Sequence, residues 1–254
     1  MAKIVSFSNQ KGGVGKTTSC VNIAAQIANK GKRTLILDLD PQGNATSGLG
    51  LPKSKIKKTI YDVLIGRCEA KDAIIKTRFK NLSIIPATID LAGAELELYD
   101  VEDTASFTDK LPLADISDDY DYIFIDCPPS LGMLTVKALS SSDGVVIPMQ
   151  CEFYSLEGMS QLLNTVKKIR QLYNPTLQIV GILLTMYNGR LTLTNQVVAE
   201  LRKYYQELLF KTPISRTVRL SEAPSYGAPI CYHDPYGKGS LEYAQVAKEL
   251  MLRI

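Results

Sequence analysis

A glycine-rich segment near the start of the chain, residues 10–18 (QKGGVGKTT), constrains the fold more than any other feature. It follows the apolar residues 4–7 and precedes a helix-like apolar run at 20–25. Strand, glycine loop and helix in this order are the setting of a phosphate-binding loop, where backbone N–H groups and the helix N-terminus bind phosphate. A plain glycine-rich turn with a surface lysine is the alternative, and it leaves the flanking strand and helix unexplained. The segment therefore predicts an α/β fold that binds a nucleotide.

Individual positions of this loop have predicted roles. Lys16 would place a positive charge near the β- and γ-phosphates, and the Thr17 hydroxyl is a suitable ligand for Mg²⁺. Glycines at 12 and 13 would let the backbone approach the phosphates closely, which a side chain would prevent. The predicted nucleotide-binding residues of the loop are Lys11, Gly12, Gly13, Val14, Gly15, Lys16, Thr17 and Thr18.

Apolar runs alternate with helical patterns along the rest of the chain. We predict strands at 3–8, 33–39, 82–86, 121–126, 143–149 and 177–186, and helices near 16–30, 89–99, 131–141, 155–172, 191–206 and 239–253. The strands are short, β-branched and apolar on both faces, which is typical of a buried parallel sheet. We therefore expect an α/β fold with a single doubly wound, mostly parallel sheet and helices on both faces, with residues 1–254 as one domain.

Two aspartates follow predicted strands, at the sheet edge where ligands bind in such folds. Asp40 would orient or deprotonate an attacking water, and Asp126 would hold Mg²⁺ beside Thr17. The alternative is that these carboxylates only complete turns, and we favour that interpretation more for Asp38 than for Asp40. For the base, Met186 and Pro213 are candidate adenine contacts, although both could equally be core residues.

Composition excludes several other classes of function. The longest apolar stretches are too short to cross a membrane, and no basic-then-apolar leader precedes the first strand, so we expect a cytoplasmic protein. The five cysteines include no C-x-x-C pair and there is a single histidine, which disfavours zinc sites and iron–sulfur carriers. A net charge of +3 permits contact with nucleic acid but does not establish it.

Two positions of the loop depart from the common phosphate-binding pattern. Gln10 stands where a glycine is usual, and Lys11 adds a second lysine. KGGVGKT resembles the deviant Walker A loop of the ParA/MinD family of ATPases. DLDPQGN (38–44), FIDCPPS (124–130) and RLSEAPSYGAPI (219–230) are similar to chromosomal ParA proteins. The resemblance implies Mg²⁺-dependent ATP hydrolysis to ADP, with Asp40 at the catalytic aspartate. It also implies an ATP-bound homodimer in which Lys11 reaches the partner's nucleotide; the alternative is a solvated lysine.

The same resemblance implies partners. Arginines matching Arg190 and Arg219 would bind double-stranded DNA nonspecifically, with Arg216 as a third candidate, and a ParB-type protein would stimulate hydrolysis. The protein would then associate with the nucleoid. Ordinary surface salt bridges are the alternative for each arginine.

A membrane or protein-cargo positioning ATPase of the MinD type is the other function considered. Membrane attachment needs a terminal basic amphipathic helix. Here Ala244, Ala247, Met251 and Ile254 instead form an apolar face that should pack on the protein itself, so no membrane contact is expected.

Overall fold

A computed structural model describes residues 1–99, 110–152 and 155–254 of the chain. Its strands are β1 (Lys3–Phe7), β2 (Thr34–Asp38), β3 (Ile75–Lys76), β4 (Leu82–Ile85), β5 (Tyr122–Asp126), β6 (Gly144–Gln150) and β7 (Gln178–Thr185). They form one sheet in the order β3-β4-β2-β5-β1-β6-β7. Neighbouring strands are parallel except for the short edge strand β3, which runs antiparallel to β4.

Helices cover both faces of this sheet. They are α1 (Lys16–Asn29), α2 (Asn44–Gly48), α3 (Ile60–Leu64), α4 (Leu91–Tyr99), α5 (Met133–Ser141), α6 (Ser155–Leu172), α7 (Thr192–Tyr205), α8 (Val218–Glu222), α9 (Ile230–His233) and α10 (Lys238–Arg253). Single 3₁₀ turns occur at Lys53–Lys55, Ala70–Ala73, Gln206–Leu208 and Ala223–Tyr226.

Side chains of the central strands alternate between two apolar layers. Phe7, Ile36 and Phe124 point to one face, where they share a core with α1 and α10. Leu37 and Ile125 point to the other face, under α3, α4 and α5, and the same layer continues under α6 and α7 along β6 and β7. Burial on both faces explains why these strands are apolar throughout. The predicted doubly wound, mostly parallel sheet is confirmed.

The long elements agree with the sequence prediction to within two residues at each end. The prediction missed β3 and the short helices α2, α3, α8 and α9. Helix α2 shows why: its five residues, NATSG, have little helical preference of their own. A distant group holds it instead, because Asp38 Oδ2 accepts hydrogen bonds from Thr46 N (2.8 Å) and Thr46 Oγ1 (2.7 Å).

The C-terminal helix α10 packs against α1, the helix that follows the glycine loop. Tyr243 is buried there, and its hydroxyl lies 3.2 Å from Ser19 Oγ. The fully buried face consists of Tyr243, Val246, Ala247 and Leu250, whereas Ala244, Met251 and Ile254 are only partly buried. The expectation that this helix packs on the protein is confirmed, with its buried face shifted round the helix. Among the described residues, no helix combines the length and apolarity that crossing a membrane requires.

Candidate active site

The glycine loop connects β1 to α1 at the carboxyl edge of the sheet. Gly13 (φ 73°) and Gly15 (φ 84°) have left-handed backbone conformations that favour glycine. Two side chains from neighbouring strands support the loop from outside. Thr185 Oγ1 donates to Val14 O (2.7 Å), and Gln150 Nε2 donates to Gly13 O (2.9 Å). These supports were not predicted, since only the folded sheet brings residues so distant in sequence beside the loop.

The start of the loop is tied to helix α6. Gln10 Nε2 donates to Gly158 O (3.1 Å) and Gln161 Oε1 (2.9 Å), which gives a structural use to the glutamine that replaces a glycine. The Lys11 ammonium forms an ion pair with Glu152, and both side chains are partly exposed. Lys11 therefore lies on the outer rim of the loop.

Lys16 occupies the opposite, inner side of the loop. The residue is 6% exposed, and its Nζ donates to Lys11 O at 3.1 Å. Burial lowers the pKa of Lys16, and the negative charges of Asp126 and Asp40 oppose that shift. The two lysines thus differ in environment: one is buried near carboxylates, and the other is at the surface.

Asp126 ends β5 directly beside the loop, in register with Phe7 on β1 and Asp38 on β2. Both of its carboxylate oxygens are buried, and no described residue forms a hydrogen bond with either of them. Burial, followed by the nearby charge of Asp38, raises the pKa of Asp126 well above its usual range; the Thr17 hydroxyl and Lys16 act in the opposite direction. An unpartnered buried carboxylate next to a hydroxyl suits a hard divalent cation. The residues present therefore fit Mg²⁺.

Asp38 and Asp40 flank the end of β2. Burial raises the pKa of Asp38 to about 6, although hydrogen bonds from Thr46 stabilise its charged form. Asp38 thus holds α2, which agrees with the structural interpretation favoured for it. Asp40 is 7% exposed and accepts a hydrogen bond from Gln42 N at 2.9 Å. Its charge acts on Lys16, so it belongs to the same group of side chains.

A cavity of about 280 Å³ adjoins the loop at Gly15 and Thr18. We name it the base pocket, because it is next to the loop and large enough to receive the remainder of a nucleotide. Met186 lines it and has a left-handed backbone (φ 49°). Pro213 is not among its lining residues, but the following residue, Ile214, is.

The predicted DNA-contacting arginines divide into two groups. Arg190 and Arg216 line a second cavity that shares a wall with the base pocket. Arg219, on α8, does not line it, and its guanidinium donates to Glu222 Oε2 at 3.2 Å. All three side chains are exposed.

Comparison with known proteins identifies the relatives of this chain. A family model described as "AAA domain" matches residues 2–179. The sporulation initiation inhibitor protein Soj of Bacillus subtilis is 52% identical over 250 residues, which cover 98% of each chain. The chain belongs to the ParA/MinD family of ATPases, and it is similar to Soj/ParA members of that family over its full length.

Two further proteins add to this placement in the ParA/MinD family. The chromosome-partitioning ATPase Soj of Treponema pallidum is 46% identical, covering all of this chain and 98% of that relative. The solved structure of cobyrinic acid a,c-diamide synthase from Mycobacterium smegmatis, with bound ADP and magnesium, is 35% identical and superposes with a TM-score of 0.84. It is matched over 98% of this chain and 93% of its own. The protein is accordingly an ATPase of the chromosome-partitioning type.

Proposed function

We propose that this ATPase is a nucleotide-dependent DNA switch. The ATP-bound form is a homodimer that binds double-stranded DNA nonspecifically, and hydrolysis, stimulated by a ParB-type partner, releases the DNA. The observation that carries the proposal is the separation of the two loop lysines. Lys16 is buried beside the carboxylates, whereas Lys11 lies on the exposed rim. A lysine on the rim is accessible to the nucleotide of a second copy.

Each residue of the site has a defined task in this proposal. The loop N–H groups and Lys16 bind the phosphates, and Thr17 and Asp126 hold the metal ion. When bound, Mg²⁺ neutralises charge on the β- and γ-phosphates. Asp40 orients the attacking water, and Lys11 of the second copy adds positive charge where the transition state becomes more negative. Met186 and Pro213 are the candidate contacts for adenine.

DNA binding would use Arg190, Arg216 and Arg219, whose exposed guanidinium groups suit phosphate oxygens. Joining two protomers presents two such surfaces together, which raises avidity without any new contact within a protomer. ATP-dependent pairing would therefore make DNA binding depend on the nucleotide.

The relatives support partitioning over the other functions considered. Two Soj proteins are 52% and 46% identical to this chain over nearly its full length. Helix α10 buries its apolar face on α1, so that face is not available to a membrane. Association with the nucleoid would follow from nonspecific DNA binding.

The test is duplex DNA binding with ATP, with ADP and without nucleotide, each at two salt concentrations. We expect salt-sensitive binding with ATP alone. Lys16→Ala should remove it, because nucleotide binding is lost, and Asp40→Ala should remain on DNA, because ATP binds but is not hydrolysed. Nucleotide-independent binding, or none in any state, would contradict the proposal. So would normal hydrolysis by Asp40→Ala.

A further inference from the structure

A cavity of about 820 Å³ opens beside the base pocket, at the surface of the protein. We name it the basic groove. Three cations from three separate elements line it: Arg190 from the loop after β7, Arg216 from the segment before α8, and Lys238 from the start of α10. None of the described residues that line it is an aspartate or a glutamate. Lys238 was not singled out by the sequence, because only the fold brings the start of α10 to the two arginines.

The charges of the basic groove are available to a ligand. Within the described residues, neither Arg190 nor Arg216 takes part in an ion pair. Lys238 Nζ has one long contact, 3.8 Å from Glu242 Oε1, and its side chain is 68% exposed. The Glu242 carboxylate is already occupied, since it accepts hydrogen bonds from Ser215 N (2.8 Å) and Ser215 Oγ (2.7 Å). Lys238 can therefore pair with a ligand anion and lose little interaction energy with Glu242.

The position of Lys238 at the N-terminus of α10 also favours an anionic ligand. It is the first residue of α10, after Gly237 at the N-cap, and the first turn contains no acidic residue. A cation at this end opposes the helix dipole, so Lys238 does not stabilise the helix by its charge. An anionic ligand in the groove would remove that conflict.

We infer that the basic groove receives the sugar–phosphate backbone of duplex DNA, and that Lys238 is a phosphate contact beside Arg190 and Arg216. The inference rests on the proposed function and extends its DNA surface of Arg190, Arg216 and Arg219 to the start of α10. Neutral hydrogen-bonding side chains, among them Asn188 and Ser221, accompany the cations. A surface with cations, neutral hydrogen-bond donors and no carboxylate suits a continuous polyanion such as the phosphate backbone of DNA. Contacts to that backbone do not depend on the base sequence.

The shared wall connects the groove with the nucleotide. Ser215, Arg216, Thr217 and Ser221 line both the basic groove and the base pocket. Glu242 holds this wall through Ser215 and contacts Lys238 on the groove side. A nucleotide bound in the base pocket would therefore affect the spacing of the cations in the basic groove.

The experiment compares Lys238→Ala, Lys238→Arg and Lys248→Ala with the unmodified protein. Lys248 is an exposed lysine on the same helix and serves as the matched control. Binding of a fluorescent random-sequence duplex is measured with ATP over a range of salt concentrations. Each dimer carries two copies of Lys238, so Lys238→Ala removes two phosphate contacts. Binding should weaken by on the order of 25- to 100-fold near 0.1 M salt, and the slope of log K against log salt should fall by about 1.8. Lys238→Arg should restore both quantities, and Lys248→Ala should match the unmodified protein.

Several outcomes would overturn the inference while leaving the proposed function intact. One is ATP-dependent DNA binding with the affinity and salt slope unchanged in Lys238→Ala. Another is weaker binding with an unchanged slope, which would make Lys238 structural. Equal competition by polyglutamate, matched to the duplex in charge, would assign the groove to an acidic protein segment. Absence of ATP-dependent DNA binding in the unmodified protein would instead overturn the proposed function.

Discussion

At the scale of single residues, the site retains an arrangement that works against stability. Asp126 is fully buried, its carboxylate has no hydrogen-bond partner in the described part of the chain, and Asp38 lies in register beside it. Burial raises the pKa of both groups, and the charge of Asp38 adds to the rise at Asp126 while that of Asp40 adds to the rise at Asp38. The folded protein therefore binds these protons more tightly than the unfolded chain, and its stability decreases as the pH rises through the folded-state pKa values. A bound divalent cation would relieve this cost.

Replacing Asp126 by asparagine should separate stability from activity. Without nucleotide, Asp126→Asn should stabilise the fold by on the order of 1 to 3 kcal/mol, because a buried carboxylate and its repulsion with Asp38 are removed. The gain should be larger at pH 8 than at pH 5, since protonation already relieves the native carboxylate at low pH. Magnesium-dependent hydrolysis should be lost. Urea unfolding at both pH values and a phosphate-release assay measure these effects.

The exposed residue Asp115 provides the control for this substitution. Asp115→Asn should change neither quantity. A destabilised Asp126→Asn variant at pH 8 would show that the carboxylate has a stabilising partner within the fold.

Most of the chemical residues could be predicted because their signals are local. Lys16 and Thr17 follow a glycine loop, and Asp126 ends a buried strand. The supports of the loop could not be predicted in this way. Thr185 and Gln150 reach the loop from neighbouring strands, and Glu152 meets Lys11 from the segment before α6. No local pattern marks such residues, because their role depends on packing.

At the scale of secondary-structure elements, the length of a helix or strand determined whether the sequence could predict it. The long helices and buried strands have sustained periodicity, whereas α2 spans five residues and is held by Asp38. The end of α10 is another case of long-range anchoring. The Arg253 guanidinium donates to Val180 O (2.9 Å), Leu208 O (3.2 Å) and Leu209 O (2.7 Å), and it lies 4.5 Å from the Phe210 ring centroid. One side chain thus joins the last turn of the helix to β7.

Removing this anchor should destabilise the whole fold. Arg253→Ala should lower the free energy of unfolding by about 2 to 4 kcal/mol, because three backbone carbonyls lose a charged donor. Arg253→Lys should be intermediate, since lysine keeps the charge but lacks the planar fork. Lys248→Ala on the same helix is the control for urea unfolding. A loss below about 0.5 kcal/mol, the usual range for surface substitutions, would contradict the anchoring role.

At the scale of the whole molecule, the proposed dimer makes each active site depend on two chains. Mixing two inactive variants, Lys11→Ala and Asp40→Ala, tests this dependence. The Lys11→Ala chain keeps Asp40, and the Asp40→Ala chain keeps Lys11. A mixed dimer therefore contains one complete site, in which the Asp40→Ala chain supplies Lys11 to its partner. Equal mixing of the two inactive variants should restore about a quarter of normal hydrolysis, because random pairing makes half of the dimers mixed and each has one active site.

Titration of one variant into the other, with phosphate release as the readout, tests this arrangement. Activity should reach its maximum at equal amounts. If the mixture stays as inactive as its components, Lys11 does not act across an interface. Lys16→Ala mixed with Lys11→Ala is a useful comparison, since a chain unable to bind ATP should complement poorly.

The packing of α10 on α1 also has a consequence for protein synthesis. Helix α1 carries Lys16 and Thr17, and its apolar side is covered by the last helix of the chain. A nascent polypeptide leaves the ribosome with its N-terminus first, so the glycine loop and α1 emerge long before α10 does. An interrupted translation product that ends before residue 238 lacks α10 altogether and leaves the core side of α1 uncovered. Premature termination should thus produce an unstable chain that cellular proteases degrade. It should not produce a shortened enzyme that binds nucleotide without regulation.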